Sequence, residues 1–120
     1  MPLDLARAYA AAMEAKDLDA LDALLDREVV AVTPKGTVLE GIESVKRYYA
    51  GSGFDHLVTS TEEHDFGAHE NGVRHLARQV YRWKETGERA YARPVETMFE
   101  FLDGKIVRIE MRILGEEPSE

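Results

Sequence analysis

Between Arg93 and Leu114 the chain reads RPVETMFEFLDGKIVRIEMRIL, and both arms of this stretch repeat with the period of a strand. Val95, Thr97, Phe99 and Phe101 alternate with Glu96, Met98, Glu100 and Leu102. Beyond Asp103-Gly104, Val107, Ile109, Met111 and Ile113 alternate with Arg108, Glu110 and Arg112. A period of two on both sides of a D-G turn is a β-hairpin with one buried face. A three-residue loop with Gly104 left-handed sets Phe99 beside Val107 and Thr97 beside Ile109. The rest of the chain is organised around this hairpin.

Ahead of it come helices, then more strands. Pro2 suits a first helical turn, and Leu5, Tyr9, Ala12 and Met13 recur at helical spacing to about Lys16. Asp17 caps a second, short helix with Leu18, Leu21, Leu24 and Leu25 on its apolar face. Glu28 to Thr33 is a β-branched strand stopped by Pro34 and the PKG turn. Gly41 opens a third helix, in which Ile42, Val45 and Tyr49 share a face, and Gly51-Ser-Gly53 ends it. From His56 the chain is strand after strand, with turns at Asn71-Gly72, Glu85-Thr-Gly87 and Asp103-Gly104. These strands run to roughly a dozen residues, longer than the usual five or six, which makes a sheet twist and curl. The expected class is α+β, a cone of three N-terminal helices on a strongly curved antiparallel sheet. Residues 1–114 read as one domain and 115–120 as a flexible tail.

Turn chemistry gives an expected register. A two-residue turn at Asn71-Gly72 pairs His64 with Gln79, Phe66 with Ala77 and Glu62 with Tyr81. A bulged turn would bring Glu63 and Asp65 to that face instead; the even set is the more apolar. A three-residue loop at Glu85 to Gly87 sets Gln79 beside Arg93, Tyr81 beside Tyr91 and His75 beside Thr97. One face then carries a row His64–Gln79–Arg93 and a pair His75–Thr97, a polar set that suggests a ligand site. The opposite face mixes Arg74, Arg78, Arg82, Arg108 and Arg112 with Glu96, Glu100 and Glu110. Leu76, Val80, Met98 and Ile106 lie among those charges, the pattern of a subunit interface, so a homodimer through the convex sheet face is expected.

With 15 basic against 23 acidic residues the net charge is -8, which repels phosphate backbones and anionic lipid. Nucleic-acid and membrane partners are therefore not expected. The chain has 0 cysteines, which excludes disulfides, a thiolate nucleophile and cysteine-ligated zinc. His56, His64, His69 and His75 show no metal-ligand spacing, and no phosphate loop or nucleophile elbow is present. MPLDLARAYA has no basic segment followed by an apolar one, so a cytoplasmic protein without metal or cofactor is expected.

Three segments, YAAAMEAKDLDALDALLDREVVAVTPKG, LEGIESVKRYYAGSG and PVETMFEFLDGKIVRIEMRI, resemble the nuclear transport factor 2-like superfamily. The SnoaL-like branch and the ketosteroid isomerases are the nearest members. The resemblance implies the helix-and-sheet cone, commonly dimeric, with a pocket inside, and leaves activity open among isomerases, dehydratases, cyclases, epoxide hydrolases and binders. It places the isomerases' hydrogen-bonding tyrosine on Tyr9 and their supporting tyrosine on Tyr49. Their general-base aspartate falls on Thr33. Their oxyanion-hole acid falls on Thr97 when the Phe-x-Phe pattern is the anchor, or on Glu96 from Pro94, which breaks the alternation. Threonine cannot act as a carboxylate base, so ketosteroid isomerase chemistry by that mechanism is not expected.

His64 is the first candidate acid or base, an imidazole expected between Glu62 and Gln79; otherwise it is a structural or surface histidine. His75 is similar, and faces small residues. Tyr9 is either a ligand hydrogen-bond donor or a core tyrosine. Arg93 is a carboxylate or enolate partner if it faces inward, and a solvent-facing residue before a proline if not. Tyr49, Gln79, Tyr81, Thr97, His75, Thr33 and Met111 complete the candidate binding set. Two functions follow: cofactor-free proton transfer on a small organic molecule (isomerisation, dehydration or cyclisation), or a non-catalytic ligand-binding or dimerisation module.

Overall fold

The computed structural model describes residues 2–15, 17–50, 57–69 and 72–115. Its elements are α1 (Pro2–Ala15), a 3₁₀ turn (Leu18–Ala20), α2 (Leu21–Leu24), β1 (Leu25–Val32), β2 (Val38–Glu40), α3 (Ile42–Ala50), β3 (Leu57–His69), β4 (Gly72–Trp83), β5 (Arg89–Leu102) and β6 (Lys105–Ile113). All six strands form one sheet in the order β2-β1-β6-β5-β4-β3. The class is α+β, but two expectations need correction. The sheet is mixed, because β1 runs parallel to β6. The third helix follows two strands, so the helices are not all N-terminal; β2, only three residues long, carries too short a pattern to be read. Asp17 does cap the turn it precedes, accepting from Ala20 N at 3.3 Å. The Gly51-Ser-Gly53 helix stop, His56 and the Asn71 turn lie outside the described residues. No helix among the described residues is long and apolar enough to cross a membrane.

The helices cover one face of the sheet. Ala6, Tyr9 and Ala12 of α1, Leu21 of α2 and Val45 of α3 bury against Leu25, Val29, Ala31, Val73, Phe99, Ile106 and Ile109. Phe99 is the largest fully buried side chain, so the expectation that the odd residues of β5 face inward holds. On the other face Arg74, Arg78, Arg82, Arg108 and Arg112 each find a carboxylate within 4.0 Å, as expected of that surface. Glu96, 6% exposed, lies between Arg74 at 2.6 Å and Arg112 at 3.6 Å.

Registers differ from expectation between β5 and β6 and between β3 and β4, where a bulge intervenes. Asp103 (φ 51) and Gly104 (φ 77) are both left-handed, and Leu102 pairs with Lys105 across a two-residue turn. That is the type I′ turn whose twist matches the strands, and Asp tolerates the left-handed well. The pairing shifts between Glu100 and Phe101, leaving Val107 as the extra residue. Phe99 therefore faces Ile109 rather than Val107, and Thr97 faces Met111 rather than Ile109. The shift also turns Ile106 inward: it is fully buried in the core rather than part of the outer face. Between β4 and β5 the expected pairs Gln79–Arg93, Tyr81–Tyr91 and His75–Thr97 all form. They do so across a longer loop, Trp83 N donating to Glu88 O, and a shift after Tyr81 restores the register.

Candidate functional site

The strand carrying His64 departs most from expectation. β3 pairs Thr61 with Gln79 and Glu62 with Arg78, then shifts, so that Asp65 meets Leu76 and Phe66 meets His75. The extra residues fall at Glu63, which is left-handed (φ 55), and His64. A bulge reverses which side chains face which side. Before it the odd residues share the face of Gln79 and Tyr81; after it the even residues share the face of His75. The expected pairs His64–Gln79, Phe66–Ala77 and Glu62–Tyr81 are therefore replaced. Glu62 stands instead on the outer face, 3.9 Å from Arg82.

His64 still reaches the helix-covered side, because the bulge aims it there. Its Nδ1 lies 2.9 Å from His75 Nε2. Its Nε2 lies 4.0 Å from Glu14 Oε2 of α1, so Glu14, not Glu62, is the nearby carboxylate. Glu14 was missed because it lies far from His64 in sequence, on α1, and on the polar side of an otherwise ordinary amphipathic helix. Phe66 stacks on His75 with ring centroids 4.0 Å apart, and Arg7 of α1 lies 5.6 Å from the Phe66 ring. His75 is buried, and its pKa is lowered from 6.5 to about 4. Burial is the main cause, the neighbouring His64 adds to it, and Asp65 opposes it. His75 is neutral at pH 7.

Tyr9 and Tyr49 meet, with their hydroxyl oxygens 2.6 Å apart. Tyr49 donates to Met111 Sδ at 3.2 Å. A hydroxyl has one proton, so Tyr9 must donate to Tyr49. The order Tyr9 to Tyr49 to Met111 makes Tyr49 the end of the chain, with a weak sulfur acceptor that a better one can displace. Burial raises the Tyr9 pKa well above 10 and the Tyr49 pKa to about 12, so both stay protonated at neutral pH. Tyr9 also packs edge-on to Phe99, centroids 5.3 Å apart, so it is a core residue as well as a donor.

Thr97 lies between the two groups, paired with His75 on one side and Met111 on the other. Neighbouring strands are about 4.8 Å apart, so roughly 10 Å separates the histidine and tyrosine ends of this belt. Gln79, Tyr81 and Arg93 form a separate cluster, four residues further along β4 and β5. There Arg93 Nη2 donates to the Tyr81 hydroxyl at 2.7 Å, and Tyr81 donates to Gln79 Oε1 at 2.8 Å. Thr33 stands apart. Its Oγ1 accepts from Thr37 N at 3.1 Å and its backbone closes the β1–β2 turn, so the side chain helps to hold that turn. Two open grooves lie away from the belt: one of about 520 Å³ on the outer face around Glu96, and one of about 370 Å³ between Pro2, Leu5 and the β5–β6 turn. Among the described residues no three His, Asp or Glu side chains converge as a metal site.

The same fold recurs in solved structures. One is a candidate polyketide cyclase from Xanthomonas campestris pv. campestris, 21% identical over 91% of this chain and 87% of that chain, with a TM-score of 0.78. Another is an LEH-like epoxide hydrolase from M. tuberculosis, 18% identical over 93% of this chain and 81% of that chain (TM-score 0.74). A third, from Catenulispora acidiphila, has a ketosteroid isomerase-like fold and is in complex with trimethylamine; it is 17% identical over 92% of this chain and 85% of that chain (TM-score 0.73). At such identities the likeness speaks for fold and not for chemistry. No curated protein matches the sequence. The profile of the SnoaL-like domain matches residues 6–109, most of the chain, and the protein belongs to that family.

Proposed function

We propose that the helix-covered face binds a small organic molecule and moves a proton on it without a cofactor, in an isomerisation, dehydration or cyclisation. The observation that carries this reading is the His64–His75 contact at 2.9 Å, at one end of a belt that has the Tyr49 hydroxyl at the other. With Nδ1–H donating to neutral His75, His64 keeps a lone pair on Nε2 for a substrate proton. The imidazolium so formed has Glu14 about one water's width away. Tyr49, backed by Tyr9, would exchange Met111 for an oxygen that gains negative charge. The names of the structural neighbours, a candidate cyclase and an epoxide hydrolase, agree with chemistry on small organic molecules.

Exchange of the α-protons of 2-tetralone in D2O, followed by proton NMR, tests this reading. Wild type should accelerate exchange, and His64→Ala should return it to the buffer rate. Binding without acceleration would favour the second reading, a non-catalytic binder of the same fold. What favours that second reading is threonine at both acid positions, Thr33 and Thr97, the first with its hydroxyl oxygen accepting a hydrogen bond within a turn. In either case we infer a homodimer through the outer face, where Leu76 and Met98 remain half-buried among charged side chains. Val80, already 2% exposed in the single chain, is not the residue that would seal such an interface. Sedimentation showing only monomer at micromolar concentration would sink the dimer.

A further inference from the structure

The cluster at the far end of the helix-covered face takes no part in the proton transfer proposed above. Gln79 and Arg93 stand opposite each other, and Tyr81 opposite Tyr91, on the face that carries Phe99 and Thr97. A guanidinium can only donate, so the Tyr81 hydroxyl accepts from Arg93 and passes its own proton to Gln79 Oε1. This order commits the amide oxygen of Gln79 and leaves its NH2 as the group's donor. The Tyr81 ring supports the arrangement, with the Arg93 guanidinium 5.1 Å from its centroid and Tyr91 stacked at 4.5 Å. Arg93 itself is short of acceptors. Its Nε is shut off from solvent with no partner. The five arginines of the outer face each have a carboxylate within 4.0 Å, whereas Arg93 has none among the described residues. In a chain with 23 acidic residues against 15 basic ones, a half-buried cation without a carboxylate is out of place unless the anion comes from outside.

Building on the ligand-binding reading above, we propose that Arg93 and Gln79 form a subsite for the carboxylate of the ligand, which makes that ligand an aromatic or unsaturated monoacid. The planar guanidinium fork matches a carboxylate, and the paired tyrosine rings give a flat wall for an apolar body. Four residues of strand separate this subsite from His75 and Thr97, about 13 Å at 3.3 Å per residue, the span of a two- or three-ring acid.

Biphenyl-4-carboxylate and its neutral isostere biphenyl-4-carboxamide test this by isothermal titration. Wild type should bind the carboxylate at least about tenfold more tightly, a preference that shrinks as salt is raised. Arg93→Gln should bring the two probes within about twofold of each other, chiefly by weakening the carboxylate. If that variant does not fold, the Arg93 Nε–H resonance of wild type decides: it should move on adding the carboxylate and stay still with the carboxamide. Equal affinities in wild type, a preference that survives Arg93→Gln, or a resonance indifferent to the carboxylate overturns the subsite while ligand binding stands. Failure of both probes to bind overturns the subsite and the binding reading together.

Discussion

The order of donation through the two tyrosines has an energetic consequence that can be measured. Tyr9 is 4% exposed and its hydroxyl has one hydrogen-bond partner among the described residues, Tyr49 at 2.6 Å. Tyr49→Phe therefore strands a buried O–H donor, and leaving such a group unsatisfied costs about 1–3 kcal/mol. Tyr9→Phe removes the donor but leaves Tyr49 still donating to Met111. That loss is one ordinary hydrogen bond, about 0.5–1.5 kcal/mol. The double variant replaces both hydroxyls with apolar rings and strands nothing, so it should cost less than the sum of the two single changes. Urea unfolding followed by circular dichroism gives all three values, provided the slope with denaturant stays constant. Equal costs for the two single variants, or a larger one for Tyr9→Phe, would refute the donor order. The claim that Tyr49 is the hydroxyl presented to a ligand would go with it.

Two other perturbations probe the scaffold and the histidine pair. Phe99→Ala should destabilise by roughly 3–5 kcal/mol, because Phe99 is 2% exposed under α1; a loss below about 1 kcal/mol in urea would mean that the core is assigned to the wrong face. His75 has a folded pKa of about 4 against 6.5, so between these values the unfolded chain holds more protons than the folded one. The contribution of His75 is then complete above pH 6.5 and is lost as pH falls toward 4, with a slope of at most about 1.4 kcal/mol per pH unit. Unfolding at pH 7 and pH 5 should show wild type losing more stability than His75→Gln, and parallel losses would show that His75 is not the group responsible.

The α+β class, the inward face of β5 and the charge pairs of the outer face were legible because each rests on local periodicity. Val95, Thr97 and Phe99 face one way whatever the turn does, since a shift of two residues preserves parity. The β4–β5 register was legible too, although the expected loop was too short, because a longer loop and a shift of one residue cancelled. Tyr9 with Tyr49 came from the resemblance; no periodicity brings residues 40 apart to within 2.6 Å. What could not be read was the pairing of β3 with β4 and of β5 with β6, where nothing compensates the bulge. Nothing local marks Glu63 as left-handed, because a glutamate gains nothing there that glycine or asparagine would not gain more cheaply.

That unreadable residue is also what assembles the candidate site. Without the extra residue at Glu63 and His64, β3 would keep one parity throughout. Thr59 and Thr61 would then share their face with Asp65 and not with Phe66, and His64 would look outward with Glu62. Instead Glu63 turns outward to meet Arg78 at 2.9 Å, while His64 turns in to meet His75. One unfavourable backbone conformation thereby does two things: it gives a surface ion pair a partner and delivers an imidazole to the far side of the sheet. The ion pair is exposed and worth little, so it does not by itself account for keeping a non-glycine residue left-handed. Strain of this kind persists where the surroundings over-determine it, and here they do, through the Phe66–His75 stack and the pairing that resumes at Asp65. The bulge, rather than any single side chain, is the feature that brings an imidazole onto the helix-covered side of the sheet beside His75.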